Sequence, residues 1–321
     1  MPSADVLWHG KESEMENPII DVIIPVCRPG EKYARLLKML EKQSVRVRRV
    51  YIINTEERFY DKQSYSYKGD INIRHISADE FDHGRTRHEG IMASDADYCL
   101  LMTQDAVPAD EYLVERLLEC FRVSDVAVAY ARQLPDEKCR VIERLSRDFN
   151  YPAESSIKRK MDIEKLGIKA FFCSDVCAMY DRKKYIEQGG FIKKTIFNED
   201  MIMAYRFLMA GYGIYYKADA MVIHSHNYSN MQQFHRNFDL GVSQADHYEV
   251  FGNISSESEG AAYVRRMTRL LIKEHAAYYI PYFYVNSAFR LVGYKLGKAY
   301  KKLPHCLVMV CTMNKNYWRQ L

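Results

Sequence analysis

The stretch IIDVIIPVCRPGEKYARLLKMLEKQSVRVRRVYIIN, residues 19–54, settles the fold class. Its apolar start, Ile19 to Val26, meets Pro25 and then the turn-forming Arg28-Pro29-Gly30, which predicts a buried strand. In EKYARLLKMLEKQ, Tyr33, Leu36, Leu37 and Leu40 fall at i, i+3, i+4 and i+7, one face of an amphipathic helix. Arg49 to Asn54 then reads as a second strand. About thirty residues between strand starts is the length of a right-handed βαβ unit, so the two strands are expected to be parallel neighbours.

Working outward, a third strand is expected at Ile71 to Ile76, a short helix around Arg85 to Ala93, and a fourth strand at Tyr98 to Thr103. The run YCLLM is apolar throughout, as in a central strand covered on both faces. It ends in Thr103-Gln104-Asp105, polar groups at a carboxyl edge, where open α/β sheets bind ligands. Farther on, a helix near Glu111 to Phe121 and a strand at Val126 to Ala131 are expected, then a polar stretch from Pro135 to Lys160 read as a mobile loop. Strand-like AFFCSDVCAMY at 170–180 follows, then a Gly189-Gly190 break. Asn198-Glu199-Asp200 opens a helix with Ile202, Tyr205, Leu208 and Met209 toward the core, and a strand or hairpin spans Gly213 to His224. The remainder reads as helical, with a linker-like composition at 252–260.

The 321 residues, 48% hydrophobic and 27% charged, exclude disordered, collagen-like and disulfide-framework classes. The net charge of +4 is unevenly placed: residues 261–321 carry eleven basic side chains against Glu274 alone, so this tail is +10 and the rest −6. Eight cysteines form no CxxC pair, and Cys173/Cys177 has no second pair to complete a zinc site, which favours a reduced, cytoplasmic setting. The N-terminus lacks the basic start and apolar core of a signal peptide. No run reaches the roughly 20 apolar residues of a membrane span; the nearest, Ala276 to Val285, is broken by Pro281. A basic, aromatic tail without a span suggests peripheral contact with an anionic membrane, where each Lys or Arg contributes about 1 kcal/mol. A nucleic-acid partner is not expected, because the tail's Tyr, Phe and Leu form apolar blocks between the charges, as in an interfacial helix.

A carboxylate at a central strand end suggests a nucleotide site. GxGxxG is missing after the first strand, where PVCRPGEKY offers one glycine, and GxxxxGK[ST] is absent, so nicotinamide or flavin enzymes and P-loop NTPases are disfavoured. A nucleotide held by side chains remains, as in sugar-nucleotide-binding folds. IIPVCRPGE, EFDHGRTRHEG at 80–90, LLMTQDAVP at 100–108, GGF at 189–191, FNEDM at 197–201 and VIHSHNYS at 222–229 resemble, in order and spacing, the family 2 inverting glycosyltransferases of the GT-A fold. FDHGRTR with TQDAVP is more like the bacterial rhamnosyltransferase branch, and the resemblance covers about residues 19–300. It implies a GT-A fold: a single mostly parallel sheet flanked by helices, with a helical C-terminal extension. A polar leader at 1–18 would precede a catalytic domain at 19–230, its nucleotide-binding half about 19–108 and its acceptor half about 109–230, and a helical basic region would fill 231–321.

The chemistry needs a divalent cation, Mg²⁺ or Mn²⁺, held by carboxylate oxygen to neutralise the charge that builds on a departing diphosphate. Asp105 is placed for this; the family's DxD reads Gln104-Asp105-Ala106 here, leaving one carboxylate, and the resemblance puts Gln104 and Asp105 against the nucleotide-sugar. His224 and His226, two apart on an expected strand, point to one side; we read His224 as the additional metal ligand and His226 as a diphosphate contact. The resemblance makes Asp200 the general base, with Glu199 orienting the acceptor or its neighbour. It assigns Asp82, Gly84 and Arg87 to the donor, in a stretch where a helix start and basic groups could hold phosphate. Pro25, Arg28, Thr55 and Glu56 would flank base and ribose. Arg236 could hold diphosphate, but the QxxRW of processive relatives is missing, which argues for single-sugar transfer. The expected partners are a nucleotide-diphosphate sugar and a glycan or lipid-linked acceptor, met at the cytoplasmic membrane face. Transfer of L-rhamnose from a dTDP donor is the first reading; a UDP-hexose donor and a non-catalytic sugar-nucleotide-binding subunit are its rivals.

Overall fold

The computed structural model describes residues 18–61, 65–252 and 257–319. The expected polar leader, apart from Pro18, and residues 253–256 of the linker-like stretch lie outside the described residues. Among the described residues, nine strands join one sheet: β1 (Ile20–Cys27), β2 (Arg49–Thr55), β3 (Asp70–Ile76), β4 (Tyr98–Met102), β5 (Val107–Pro108), β6 (Val126–Leu134), β7 (Ser156–Lys158), β8 (Cys177–Asp181) and β9 (Gly213–Ile223). Their order is β3-β2-β1-β4-β8-β6-β9-β5, with β7 also on β9. Pairing is parallel across β3, β2, β1 and β4, with Ile23 opposite Tyr51 of β2 and Leu101 of β4. Beyond β4 the sheet is mixed: β8 runs antiparallel to both β4 and β6, while β6 and β9 are parallel. The α/β class holds, with the parallel pairing concentrated in the first half.

Alternation along β1 divides the core. Val22, Ile24 and Val26 pack with Tyr33, Leu36, Leu37 and Leu40 of the Glu31–Leu40 helix, the face expected from its periodicity. Ile23 points the other way, joining Ile53, Leu101 and Phe207. Each fully buried aliphatic side chain of this kind contributes about 1.5–3 kcal/mol relative to exposure.

Three expectations change. The polar stretch at 135–160 contains the Val141–Asn150 helix and β7, because Ile142 and Leu145 find their apolar partners in Met267, Leu271 and Phe283 of the C-terminal region. The run 170–180 is a strand only from Cys177; a turn closed by the Cys177 N–H donating to the Ser174 carbonyl (3.2 Å) precedes it. In the Glu199–Met209 helix, Ile202 and Leu208 are buried but Met209 is exposed, since it lies at the final turn.

The C-terminal region is helical. Pro281 does not break the apolar segment but starts a helix, Ile280–Lys298, in whose first turn a missing N–H costs nothing. This helix packs against Asn230–Asp246 at glycine-lined contacts: a methyl group at Gly293 would sit 2.3 Å from the Phe234 carbonyl oxygen, and one at Gly297 2.1 Å from that of Phe238. Gly241 meets the Tyr294 carbonyl in the same way, at 2.4 Å. Among the described residues, no helix is long and apolar enough to cross a membrane.

Candidate active site

β4 stops at Met102, and a turn closed by the Ala106 N–H on the Thr103 carbonyl leads into β5. β5 lies antiparallel to the end of β9, Val107 opposite Ile223, so Asp105 is carried to the segment that leaves β9. There His224 Nε2 lies 3.5 Å from Asp105 Oδ1 and His226 Nε2 3.4 Å from Oδ2. The three side chains offer ligand atoms within 4.8 Å of one another. Burial, with the other imidazole and Arg147 adding to it, holds His224 well below its usual pKa. Burial also lowers His226, against the opposing pull of Asp105. Both rings are therefore neutral at pH 7, with nitrogen lone pairs to offer.

Gln133, on β6, fixes the orientation of the His224 ring. Its amide nitrogen donates to the Ser174 hydroxyl at 3.0 Å and to the Tyr151 hydroxyl, so its Oε1 is the acceptor for His224 Nδ1–H at 2.9 Å and for Arg147. That leaves His224 Nε2 as an acceptor facing Asp105, the arrangement expected of a metal-ligating histidine with an outer carbonyl partner. One carboxylate and two neutral imidazoles fit a divalent cation.

Gln104 does not face a ligand alone. Its amide nitrogen donates to the Cys27 carbonyl (2.9 Å) and its oxygen accepts from the Cys27 N–H (2.8 Å), fastening the Asp105 turn to the end of β1. A carboxylate at this position could not donate to the Cys27 carbonyl, so the clasp needs the amide.

Across the same cavity, of about 650 Å³, stands an acidic cluster. Asn198, held at φ 66°, turns the chain into the Glu199–Met209 helix. Asp200 accepts from the Met201 N–H (2.7 Å) and the Asp175 N–H (3.3 Å), which fixes its carboxyl at the cavity wall. Burial, with the negative charges of Glu199 and Asp175, raises its pKa well above the usual carboxylate value. Asp175 is pushed up to about 7 by burial and Glu199, against Arg87 and the Tyr180 hydroxyl that donates to it at 2.6 Å.

Several residues expected at the donor have partners within the chain. Arg87 is buried beneath this cluster, 3.1 Å from Glu199 Oε1 and 3.6 Å from Asp175 Oδ2, and it also donates to the His83 carbonyl. Its charge balances the carboxylates, while both Arg87 and Glu199 line the cavity and Arg87 Nε has no hydrogen-bond partner. Asp82 caps the His83–Ala93 helix, accepting from the Gly84 and Arg85 N–H groups at 2.9 Å, and its second oxygen takes the Thr195 N–H. Gly84 permits close approach, but to the Ile192 carbonyl, 2.0 Å from where a Cβ would stand. Pro25 lies within β1 opposite Ile53 and lines neither of the two hollows at this edge.

Arg28, Thr55 and Glu56 do come together, in a second hollow of about 400 Å³ with Phe59, Phe81 and Cys27. Arg28 stacks on the Phe59 ring at 4.3 Å, and the buried Thr55 hydroxyl has no hydrogen-bond partner. The Gln104–Cys27 clasp lies between the two hollows, since Cys27 lines one and Gln104 the other.

Gln133, Arg147, Tyr151 and Asp175 were not singled out from the sequence. Only Asp175 left a signal there: a lone charge inside the apolar run 170–180. Arg236 lines the main cavity, its guanidinium 4.6 Å from the Phe197 ring and 5.9 Å from that of Tyr228.

Comparison with known proteins bears on these features. Residues 21–189 match the family Glycosyl transferase family 2. The O-antigen chain rhamnosyltransferase RfbN of Salmonella typhimurium is 34% identical over 306 residues, 94% of this chain and 96% of the relative. The O-antigen chain rhamnosyltransferase WbaN of Salmonella anatum is 35% identical over 309 residues, 95% of this chain and 97% of the relative. Among solved structures, the mannosyltransferase PcManGT from Pyrobaculum calidifontis, in complex with GDP-Man and Mn²⁺, aligns over 88% of each chain with a TM-score of 0.57 and 13% identity, a likeness of fold. The cluster of Asp105, His224 and His226 and the carboxyl of Asp200 thus sit in a chain that, by a match over more than half its length and by two enzymes alignable along nearly all of it, belongs to glycosyl transferase family 2 and is a glycosyltransferase.

Proposed function

We propose that this chain transfers L-rhamnose from a dTDP donor to a hydroxyl of a growing O-antigen-type polysaccharide, with inversion at the anomeric carbon. The observation that carries the reading is the meeting, in one cavity, of the Asp105, His224 and His226 cluster with the carboxyl of Asp200. It is supported by the rhamnosyltransferase relatives, whose names give the sugar and the O-antigen chain. Asp105 and His224 would hold Mg²⁺ or Mn²⁺ with His226 beside them, and the cation would offset the negative charge of the departing diphosphate.

The chain's own groups do the rest. Thr55, Glu56 and Arg28 receive base and ribose in the smaller hollow, where the unpartnered Thr55 hydroxyl can meet a polar edge. The diphosphate crosses the Gln104–Cys27 clasp, and Arg236, with no carboxylate in ion-pair range among the described residues, faces it from the Asn230–Asp246 helix. Asp200 takes the acceptor hydroxyl's proton as that oxygen attacks the anomeric carbon from the face opposite the diphosphate, so a β-linked donor gives an α-linkage. Arg87 and Glu199 hold the ground beneath Asp200.

Hydrolysis or transfer with a donor panel tests the reading: turnover of dTDP-rhamnose above all others is expected, and preference for a UDP-hexose would replace the donor. We further place the enzyme at the cytoplasmic membrane face through its +10 tail. Flotation of the full chain with anionic vesicles, reversed by 1 M salt on the order expected from screening, is the expected result; equal flotation with neutral vesicles would remove the electrostatic contact.

A further inference from the structure

We infer that Arg290 is a second anion subsite in the main cavity, and that it takes the diphosphate of a lipid-linked acceptor; the inference rests on the glycosyl-transfer reading. Arg290 lines the cavity from the Ile280–Lys298 helix, outside the segment that matches the family. Among the described residues no carboxylate lies in ion-pair range of its guanidinium, and its buried Nε has no hydrogen-bond partner. Polar atoms left so are costly unless a ligand or water meets them. The Arg290 guanidinium stands 5.8 Å from the Tyr263 ring, whose hydroxyl is fixed at 2.6 Å to Ser146, another cavity residue.

The two unpaired arginines of this cavity differ in place. Arg236 stands 5.9 Å from the Tyr228 ring, which stacks on His226 at 5.0 Å, a place that suits a donor diphosphate beside the cation cradle. Arg290 comes from a different helix and stands beside Tyr263, which is bonded to Ser146 of the Val141–Asn150 helix, so it fits an anion that is not the donor's. The outer side of the Arg290 helix indicates where that anion comes from. Tyr282, Tyr284, Val285, Leu291 and Val292 are each at least 40% exposed there, an apolar face on a tail with a large excess of positive charge. Such a face beds on an anionic bilayer. Arg290 lies about one helix diameter, ~10 Å, behind it, within reach of a phosphate headgroup anchored in that bilayer. A lipid diphosphate joined to a sugar would place its anion on Arg290 and its sugar hydroxyl toward Asp200.

The test is binding of farnesyl diphosphate, inorganic pyrophosphate and farnesol to the full chain saturated with dTDP and Mg²⁺, for wild type, Arg290→Gln and Arg290→Lys. Farnesyl diphosphate is expected to bind wild type, at least tenfold more weakly to Arg290→Gln, and at an intermediate level to Arg290→Lys, with dTDP affinity the same in all three. Farnesol should not bind at this site, and pyrophosphate should bind more weakly than the lipid diphosphate. Equal affinity of Arg290→Gln, or no binding by wild type, overturns the subsite. A parallel loss of dTDP affinity would move Arg290 to the donor, and pyrophosphate binding as tight as farnesyl diphosphate would make it a free-anion site; either overturns the lipid assignment. Failure of wild type to bind dTDP at all would instead count against the donor reading, leaving the two ideas separable.

Discussion

Asp200→Asn is expected to lower turnover by about 10²–10⁴-fold, roughly 3–5 kcal/mol of barrier, while nucleotide affinity stays within twofold of about the wild-type value. The amide keeps the size of the carboxyl and can still accept from a backbone N–H, so the wall of the cavity is preserved; what it loses is the ability to take a proton. The pH dependence follows from the same surroundings. Burial and the charges of Glu199 and Asp175 favour the protonated form of Asp200, whereas catalysis needs the ionised one. The acidic limb of the rate profile therefore lies above the ordinary carboxylate value of about 4, and turnover rises with pH through that displaced limb. Rate profiles and nucleotide titration of wild type and variant check both points, and a variant with normal turnover would remove Asp200 as the base.

Asp105→Ala is expected to abolish metal-dependent stabilisation by dTDP. In wild type, dTDP with Mg²⁺ or Mn²⁺ at about 100 times its dissociation constant should stabilise the fold by about 2.7 kcal/mol, and chelation should remove most of that gain. The variant retains His224 and His226 but no carboxylate oxygen in the cradle, and two neutral imidazoles alone are a poor site for Mg²⁺. Melting curves with and without chelator, on both proteins, give the comparison. The same metal-dependent shift in Asp105→Ala would place the cation elsewhere.

The first half of the fold was legible because its signals are local. Residues 19–54 carry a period of 3.6 between two apolar runs, and β1 to β4 with their helices follow from that pattern at nearly the expected bounds. The second half was less so, since direction of pairing leaves no mark on a short apolar run: β8 is antiparallel to β4 although its sequence reads like any buried strand. The Val141–Asn150 helix was hidden because its partners, Met267 and Phe283, lie more than a hundred residues away. At the site, residue types were readable and their commitments were not. That Asp82 also takes the Thr195 N–H, and that Arg87 also pairs with the Glu199 carboxylate, leaves no mark in the sequence. The approach of Asp105 to both histidines depends on β5, only Val107–Pro108, too short to show any periodicity.

The glycines between the Asn230–Asp246 and Ile280–Lys298 helices have a consequence for specificity. Gln233, Arg236 and Asn237 line the cavity from one helix and Arg290 from the other, whereas Gly241, Gly293 and Gly297 lie at the seam between them and touch no part of the cavity. With backbone meeting backbone there, the gap between the helix axes is at its minimum, and a single added methyl must push them apart. The bore of the cavity on this side is thus gauged by residues outside it, so that enzymes with the same lining could differ in the width of glycan they admit through the spacing of these helices alone.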